Sequence, residues 1–444
     1  MQTIHPLNTP WTRQAALVAA GVVAACGLVV VGHDQPKLGL GLLYLAAFAW
    51  LSWVKPIVPL TLIVALTPFV QNLGGGGLAF SIAEVNLALF TAVFLTKAAL
   101  ERRPIHIGPI IVPVALYFAI CVFASIPTLR STSITSIAQM GLYMVVAVSV
   151  FASAIDDDLE ELKKPFLGLI AVTVCLAAAV TAAREQYFLG LHKNLIGAVS
   201  SCGFIAAVEF ALAGRDRRVR LFAMASAAVL AVGMVSVVSR GAWLASLTGM
   251  VVIFVMRRRV LDLFKLCVVM APFIAIAWLA LPEGHRSYAV DFDAETYNIR
   301  ARYRMVDHAY SFFEQNPVYG VGVGLRKEYD ATNLAMLTLA ETGVIGLVCL
   351  IIIHAAVLWM VLLTARTMRR DDPLFTLVVL AAALLISRMA HGMVDHYWSR
   401  GPIMTTWAAV GCATAVYLRQ HGTEGLIPRV RQPTGEPQPE AGPA

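Results

Sequence analysis

Apolar stretches long enough to cross a lipid bilayer recur along nearly the whole chain, and they dictate its architecture before any motif is read. A helix needs about 20 mostly apolar residues, within a range of roughly 17 to 25, to span the hydrocarbon layer. On that basis the sequence predicts about 14 spans, at residues 15–31, 38–54, 56–71, 84–100, 108–126, 134–154, 165–183, 195–213, 221–238, 241–256, 263–281, 334–362, 373–390 and 402–418. The division at Trp53-Val54-Lys55-Pro56 is open, because proline kinks a helix as well as ending one, and the count then falls to about 12. Hydrophobic residues make up 59% of the 444, charged ones 14%, and mean hydropathy is +0.74, which leaves no room for a large soluble domain. The predicted fold class is all-α: a polytopic integral membrane protein, since only helices or closed barrels satisfy the backbone in lipid.

The net charge of +7 belongs to loops rather than to a nucleic-acid surface. Basic clusters at Arg102-Arg103, Arg215 to Arg218, Arg257-Arg258-Arg259 and Arg366 to Arg370 occupy alternate loops, as one cytoplasmic side requires, and this phase puts both termini in the cytoplasm. Met1 to Arg13 is too polar to be a cleaved leader, so residues 15–31 are expected to stay as the first span. The Pro-rich tail from about Gly422 is expected to be disordered. Cys26, Cys121, Cys175, Cys202, Cys267, Cys349 and Cys412 all fall in apolar runs with no metal-ligand spacing and are expected to be small core residues.

On the opposite side only one loop is long, from Pro282 to about Thr332, and a connection of that length usually carries function. Its first part, Pro282 to Glu295, is polar and poorly patterned. From Tyr297 to Gln315 there is neither Pro nor Gly, and Tyr303, Val306, Ala309, Tyr310 and Phe313 recur at helical spacing, which predicts an amphipathic helix along the membrane surface with Arg300, Arg302, Arg304, Asp307 and His308 on its polar face. Headgroup contact is the plain alternative for those arginines. After Asn316-Pro317 come the alternating glycines of Val318-Tyr319-Gly320-Val321-Gly322-Val323-Gly324, which permit positive φ and close backbone approach.

Arg240 sits in a pinch between two spans, so its guanidinium must snorkel to the surface or line a polar cavity. Arg184, Lys193, Arg388 and Arg400 add positive charge on the same side. Arginine suits a phosphate or pyrophosphate because its planar fork bonds two oxygens and keeps its charge. A positive site at the outer membrane face therefore points to a lipid-linked phosphate, with arginines stabilising the charge that develops on a leaving pyrophosphate. No DxD-like or His/Asp cluster with metal-ligand spacing falls on that side, so neither a metal nor a cofactor is expected.

These residues carry a family resemblance. Ser239-Arg240-Gly241-Ala242-Trp243-Leu244, then Arg302 to Ala309 running into the glycine segment, then Thr332-Asn333-Leu334 with Ala340-Glu341-Thr342-Gly343-Val344-Ile345-Gly346-Leu347, resemble the O-antigen ligase and polymerase (Wzy_C) family over roughly residues 195–402. The resemblance implies a helical inner-membrane glycosyltransferase of GT-C type that takes glycan from undecaprenyl pyrophosphate at the periplasmic face and passes it to lipid A-core or to another lipid-linked repeat unit. It further implies that Arg240 and Arg302 bind the donor pyrophosphate, with Arg304, Arg184, Asn333 and Arg400 expected around it. The domain plan that follows is N-terminal spans in 1–194, a ligase-like core in 195–418 with the loop 282–332, and a cytoplasmic tail in 419–444. Partners expected from the resemblance are the lipid-linked donor, a glycan or lipid A-core acceptor, the bilayer, a flippase and a chain-length regulator, and no nucleic acid.

One position departs from the family. Ligases usually carry a histidine just before the asparagine seen here as Asn333, proposed to activate the acceptor hydroxyl, and this chain has Thr332, which cannot take that proton at neutral pH. The nearest substitute is Asp330, for which a helix cap is the alternative reading. Glu341, an acid inside a span, is a second candidate, either catalytic or bonded locally. His391, four residues before Asp395 in His391-Gly392-Met393-Val394-Asp395-His396-Tyr397-Trp398-Ser399-Arg400-Gly401, is a third. In that segment Tyr397 and Trp398 read as membrane-interface anchors and His396 as a solvated neighbour. The missing histidine leans towards a polymerase over a ligase. A lipid-linked oligosaccharide flippase and a silent scaffold stay open as other classes, although no internal repeat of the kind carriers show is visible.

Overall fold

A computed structural model describes residues 36–71, 80–106, 108–128, 130–155, 157–183, 187–290, 297–325, 329 and 331–422. The predicted span at 15–31 and the tail beyond Gly422 lie outside these residues. The described chain is helical throughout apart from a two-residue hairpin, Tyr187–Phe188 with Leu191–His192, whose antiparallel register pairs Phe188 with Leu191.

The helices are α1 Pro36–Val54, α2 Ile57–Ala65, α3 Ile82–Glu101, α4 Ile111–Ser125, α5 Ser131–Ser153, α6 Leu159–Ala183, α7 Lys193–Ala213, α8 Arg217–Ser236, α9 Arg240–Met256, α10 Val260–Leu279, α11 Glu283–Val290, α12 Tyr297–Gln315, α13 Leu334–Thr367, α14 Phe375–Gly392 and α15 Arg400–His421. Nine among the described residues are long and apolar enough to cross a membrane, and α1, α4 and α9 add three shorter apolar helices. The protein is thus an all-α, multi-pass membrane protein. Each predicted span from 38–54 onward meets a helix; that at 56–71 contains only the nine residues of α2.

Helix starts follow local chemistry. Ser81 and Glu84 close a capping box on α3, Asp216 accepts from Arg218 N at 2.8 Å, and Asn333 accepts from Met336 N at 3.1 Å to start α13. Burial sorts the helices. α7, α14 and α15, rich in Gly, Ala, Ser and Thr, form the centre, where small side chains let backbones approach. Ala277 is the one buried residue of α10, so this helix stands at the rim against α8 and α9. Of the cysteines, Cys121, Cys202 and Cys412 are core residues as expected, whereas Cys175 and Cys267 lie on the exposed, lipid-facing side of their helices.

The basic clusters gather at one end. Arg257 donates to both Glu209 oxygens and to the Arg370 carbonyl at 2.9 Å, Arg370 donates to Met256 O at 2.5 Å, and Arg215 donates to Asp371 O at 2.6 Å. Arg102 and Arg103 line a cleft there with Asp157 and Arg419. The long loop and the turn between α14 and α15 form the other end, called the loop end below.

Two expectations for the loop end need correction. Residues 283–290 are not featureless but fold as α11, held by buried Ala289 against Val238 and Leu281. α12 exists as predicted, but it packs on α13 through the side that carries Arg302, Val306, Ala309 and Phe312. Tyr303 and Tyr310 are 61% and 50% exposed, so these tyrosines flank the packed face instead of forming it.

Candidate functional site: an arginine-lined cleft at the loop end

The turn from His391 to His396 is the hub of the loop end. Asp395 N donates to His391 O at 2.9 Å, which closes a tight turn just past the end of α14. Arg302 of α12 donates to the Val394 carbonyl, and its guanidinium lies 3.6 Å from the Asp395 carboxylate. Asn333 caps α13 with its oxygen and donates its amide to Met393 O at 3.1 Å. Gly241 completes the set from α9: a Cβ there would stand 2.7 Å from His391 Nε2, so only glycine lets the imidazole lie against the start of this helix. Segments far apart in sequence therefore converge on six residues.

Charges within the hub are arranged by geometry. Arg388 Nη1 is 2.7 Å from His391 Nδ1, and because a guanidinium only donates, Nδ1 must accept. The neutral ring then carries its proton on Nε2, a buried atom that makes no hydrogen bond among the described residues and faces Gly241. His391 is thus a donor aimed at the helix start, with its hydrogen bond to Arg388 and with Asp395 as an electrostatic neighbour. Burial pushes the Asp395 carboxyl up, but the His391 and His396 rings, the His396 N–H at 2.8 Å and Arg302 outweigh it and hold the group below the usual carboxylate value.

The motif around Arg240 builds the second wall. Val238 takes a left-handed conformation (φ 50°) to turn the chain from α8 into α9, and Trp243 donates its indole N–H to Met234 O at 2.9 Å, locking the two helices together. Arg240 neither snorkels away nor dives into the bundle; it is half-buried, with its guanidinium 5.5 Å from the Tyr288 ring centroid. Lys193 Nζ approaches the same ring at 4.0 Å, is only 8% exposed, and ion-pairs with no carboxylate among the described residues. Below these cations lies a cavity of about 280 Å³ whose walls are mostly apolar, from Val237 and Val238 to Phe273, Ile276 and Leu281. A cationic rim over an apolar chamber can hold an anionic headgroup and the first part of its lipid chain.

Glu341 has a structural place. Its buried carboxylate accepts from Gly324 N at 2.8 Å, and the neighbouring backbone accepts from Val321 N and Gly322 N at 2.9 and 3.0 Å. α13 is broken at Gly343 (φ 66°, ψ −167°), where Val344 N reaches back to Pro317 O at 2.9 Å. The glycine run thus threads into a split helix, which fixes the end of α12 and the Thr332–Asn333 turn. Thr332 itself has φ 50°, a strained conformation for a β-branched residue.

The remaining sequence candidates scatter. Arg304 is exposed, and its carbonyl accepts from Tyr329 OH at 2.9 Å. Arg400 donates to Val70 O at 3.3 Å, tying α15 to the chain after α2. Arg184 and Asp330 lie outside the described residues. Tyr397 and Trp398 are not surface anchors: both are buried in the bundle. Sequence reasoning missed Tyr288, in a segment read as unpatterned, and the ordering role of Arg388. It also missed His354, a histidine in the middle of a span, which is itself a signal.

Fold and site define a polytopic helical membrane protein with a cation-rimmed cleft at one end. Residues 225–351 match the Wzy_C family model, O-antigen ligase, which supports the resemblance to the O-antigen ligase and polymerase family over that stretch. The matched region runs from α8 through the Arg240 motif, α12 and the glycine segment into α13, and the hub at 391–396 lies beyond it. Proteins of that family are implied to have ligase- or polymerase-type activity on a lipid-linked glycan donor and an acceptor within a membrane. No curated protein matches the chain.

Proposed function

We propose that the protein is a glycosyltransferase of the bacterial inner membrane, acting at the periplasmic face on glycan carried by undecaprenyl pyrophosphate, and that it extends a lipid-linked polysaccharide rather than capping lipid A-core. The observation that carries this reading is that Arg240 and Lys193 meet on Tyr288 beside a mostly apolar cavity of about 280 Å³, while Arg302 is held by Val394, which packs against Gly241. In the reaction the bond from the sugar's anomeric carbon to phosphate breaks, and the pyrophosphate leaves with the electron pair. Arg240 and Lys193 stabilise that growing charge. The acceptor hydroxyl forms the new bond to the anomeric carbon and loses its proton to Asp330, assigned from its place two residues before Thr332. Thr332, where ligases usually have histidine, supports the polymerase branch. A flippase that delivers the repeat unit and a chain-length regulator are the partners such a polymerase requires.

The test is transfer by the purified protein in lipid, supplied with an undecaprenyl-pyrophosphate-linked repeat unit. Wild type is expected to give a ladder of longer lipid-linked glycans, and Arg240→Ala to slow it by about a hundredfold or more while remaining folded. Full output from Arg240→Ala removes the donor-site assignment. If wild type forms no glycosidic bond, even with lipid A-core added, a carrier becomes the better reading, and flipping in sealed vesicles is measured next.

A further inference from the structure

His354 lies deep in α13, fully enclosed, where a titratable side chain is costly and calls for a reason. Both ring nitrogens are committed. Nδ1 is 2.7 Å from the Leu350 carbonyl, which can only accept, so Nδ1 carries the proton. Nε2 therefore accepts, and its donor is Tyr397 OH at 2.6 Å. Trp407 packs edge-on against the imidazole, with centroids 6.1 Å apart.

Tyr397 does not come from a neighbouring span. It belongs to the turn between α14 and α15, two residues after Asp395, and it plunges from the loop end into the bundle to reach His354. Gly392 makes room for it, since a Cβ there would stand 2.6 Å from the tyrosine ring. On its way the ring supports Arg388, whose guanidinium carbon lies 5.6 Å from the centroid. Arg388 is the residue that fixes the His391 ring and also donates to the His396 carbonyl. A chain of contacts thus runs from mid-bundle His354, through Tyr397 and Arg388, to His391 and the Asp395 turn that holds Arg302.

Stability alone does not account for this chain, because a buried polar pair is seldom better than apolar side chains of the same shape. What a polar pair adds is a single allowed placement. We propose that His354 is a positioning residue: by anchoring Tyr397 it sets the place of the Arg388–His391–Asp395 cluster, and so of Arg302, without touching substrate. The catalytic part of this inference rests on the transferase reading above, and the mechanical part does not.

The experiment compares wild type with His354→Phe, Tyr397→Phe and His354→Gln in lipid nanodiscs, by two measurements. Hydrogen exchange of the backbone amides at 393–399 reads the anchoring directly; loss of one buried hydrogen bond is expected to speed it about tenfold in His354→Phe and in Tyr397→Phe. His354→Gln keeps an acceptor near the place of Nε2 and is expected to restore slow exchange. Chain extension reads the consequence: kcat falls about tenfold in both Phe variants, with KM for the donor nearly unchanged, and recovers in His354→Gln. The double variant His354→Phe/Tyr397→Phe should be no slower than either single one, because both remove the same bond. Wild-type exchange at 393–399 in the Phe variants overturns the anchoring, and faster exchange with wild-type turnover overturns the positioning role. If His354→Phe does not fold, Tyr397→Phe, which removes one oxygen, carries the same comparison. Should wild type show no transfer at all, the transferase reading fails by itself, and exchange still decides whether His354 holds the turn.

Discussion

At the scale of single residues, Thr332 and Asp395 show how much chemistry depends on conformation. Thr332 pairs a side chain unfit as a base with a left-handed backbone that β-branched residues avoid and that histidine adopts more readily. Thr332→His is therefore expected to fold at least as stably as wild type, with up to about 1 kcal/mol of strain relieved, and to raise turnover in the chain-extension assay. Lower activity together with a lower melting temperature would show that this branch has left the family geometry behind. Asp395 has a carboxyl held below its unfolded value, so its contribution to stability is fully present above the unfolded pKa of about 4 and is lost as pH falls through the lower folded one. The melting-temperature gap between wild type and Asp395→Asn should be constant from pH 7 to about 5 and close at lower pH. The sequence showed that these residues were unusual: a threonine in a histidine's place, and an acid among histidines. It could not show that Asn333 would reach Met393, because that contact joins positions 60 residues apart, nor which of two helix neighbours, Arg388 three residues before or Asp395 four after, would take the His391 ring nitrogen.

At the scale of elements, the spans were legible because apolar length is a direct readout of bilayer thickness, whereas α3 and α8 start two and four residues before the predicted spans, at the caps Ser81 and Asp216, because apolar length does not register a polar first turn. α11 was not legible: eight mostly polar residues are held by Ala289 and Tyr288 packing into the cluster of Val238 and Leu281, which no local pattern reveals. The face of α12 was misread for a related reason, since tyrosines satisfy a helical period whether they meet protein or the membrane interface. The glycine segment was recognised as special, yet its purpose needed the break in α13. A Cβ on Gly343 would stand 2.2 Å from the Val318 carbonyl oxygen, and the residue's φ and ψ lie where little but glycine is found. Gly343→Ala must therefore either straighten α13 and expel the glycine run or carry strain and a backbone clash together. A loss of roughly 3 kcal/mol or more is expected, with new protease cleavage near 317–324. Wild-type stability in this variant would mean that the split helix has slack that its hydrogen bonds do not suggest.

At the scale of the whole molecule, the two ends divide the work. The loop end gathers cations around a cleft, with Arg240 and Lys193 both packed against the Tyr288 ring, while the basic end closes its central arginine in on itself. Arg257 is nearly buried there, donating to both oxygens of fully buried Glu209, to the Arg370 carbonyl and to Thr376 Oγ1 at 3.1 Å, so that α7, α9, the α13–α14 turn and α14 meet at one guanidinium. Because α7 and α9 also lead to Lys193 and Arg240 at the other end, this knot fixes the base of the helices that carry the proposed donor site. Removing one partner leaves a buried charge without its counterpart, which costs about 3–5 kcal/mol, whereas replacing both by apolar side chains of similar size is often close to neutral. Glu209→Ala is accordingly expected to lower the melting temperature in detergent sharply and to reduce yield in the membrane. Glu209→Leu/Arg257→Met should recover most of that loss and retain chain extension, since neither residue approaches the cleft. If the double variant is stable but inactive, the knot does more than hold helices together, and the two ends are coupled through α7 and α9.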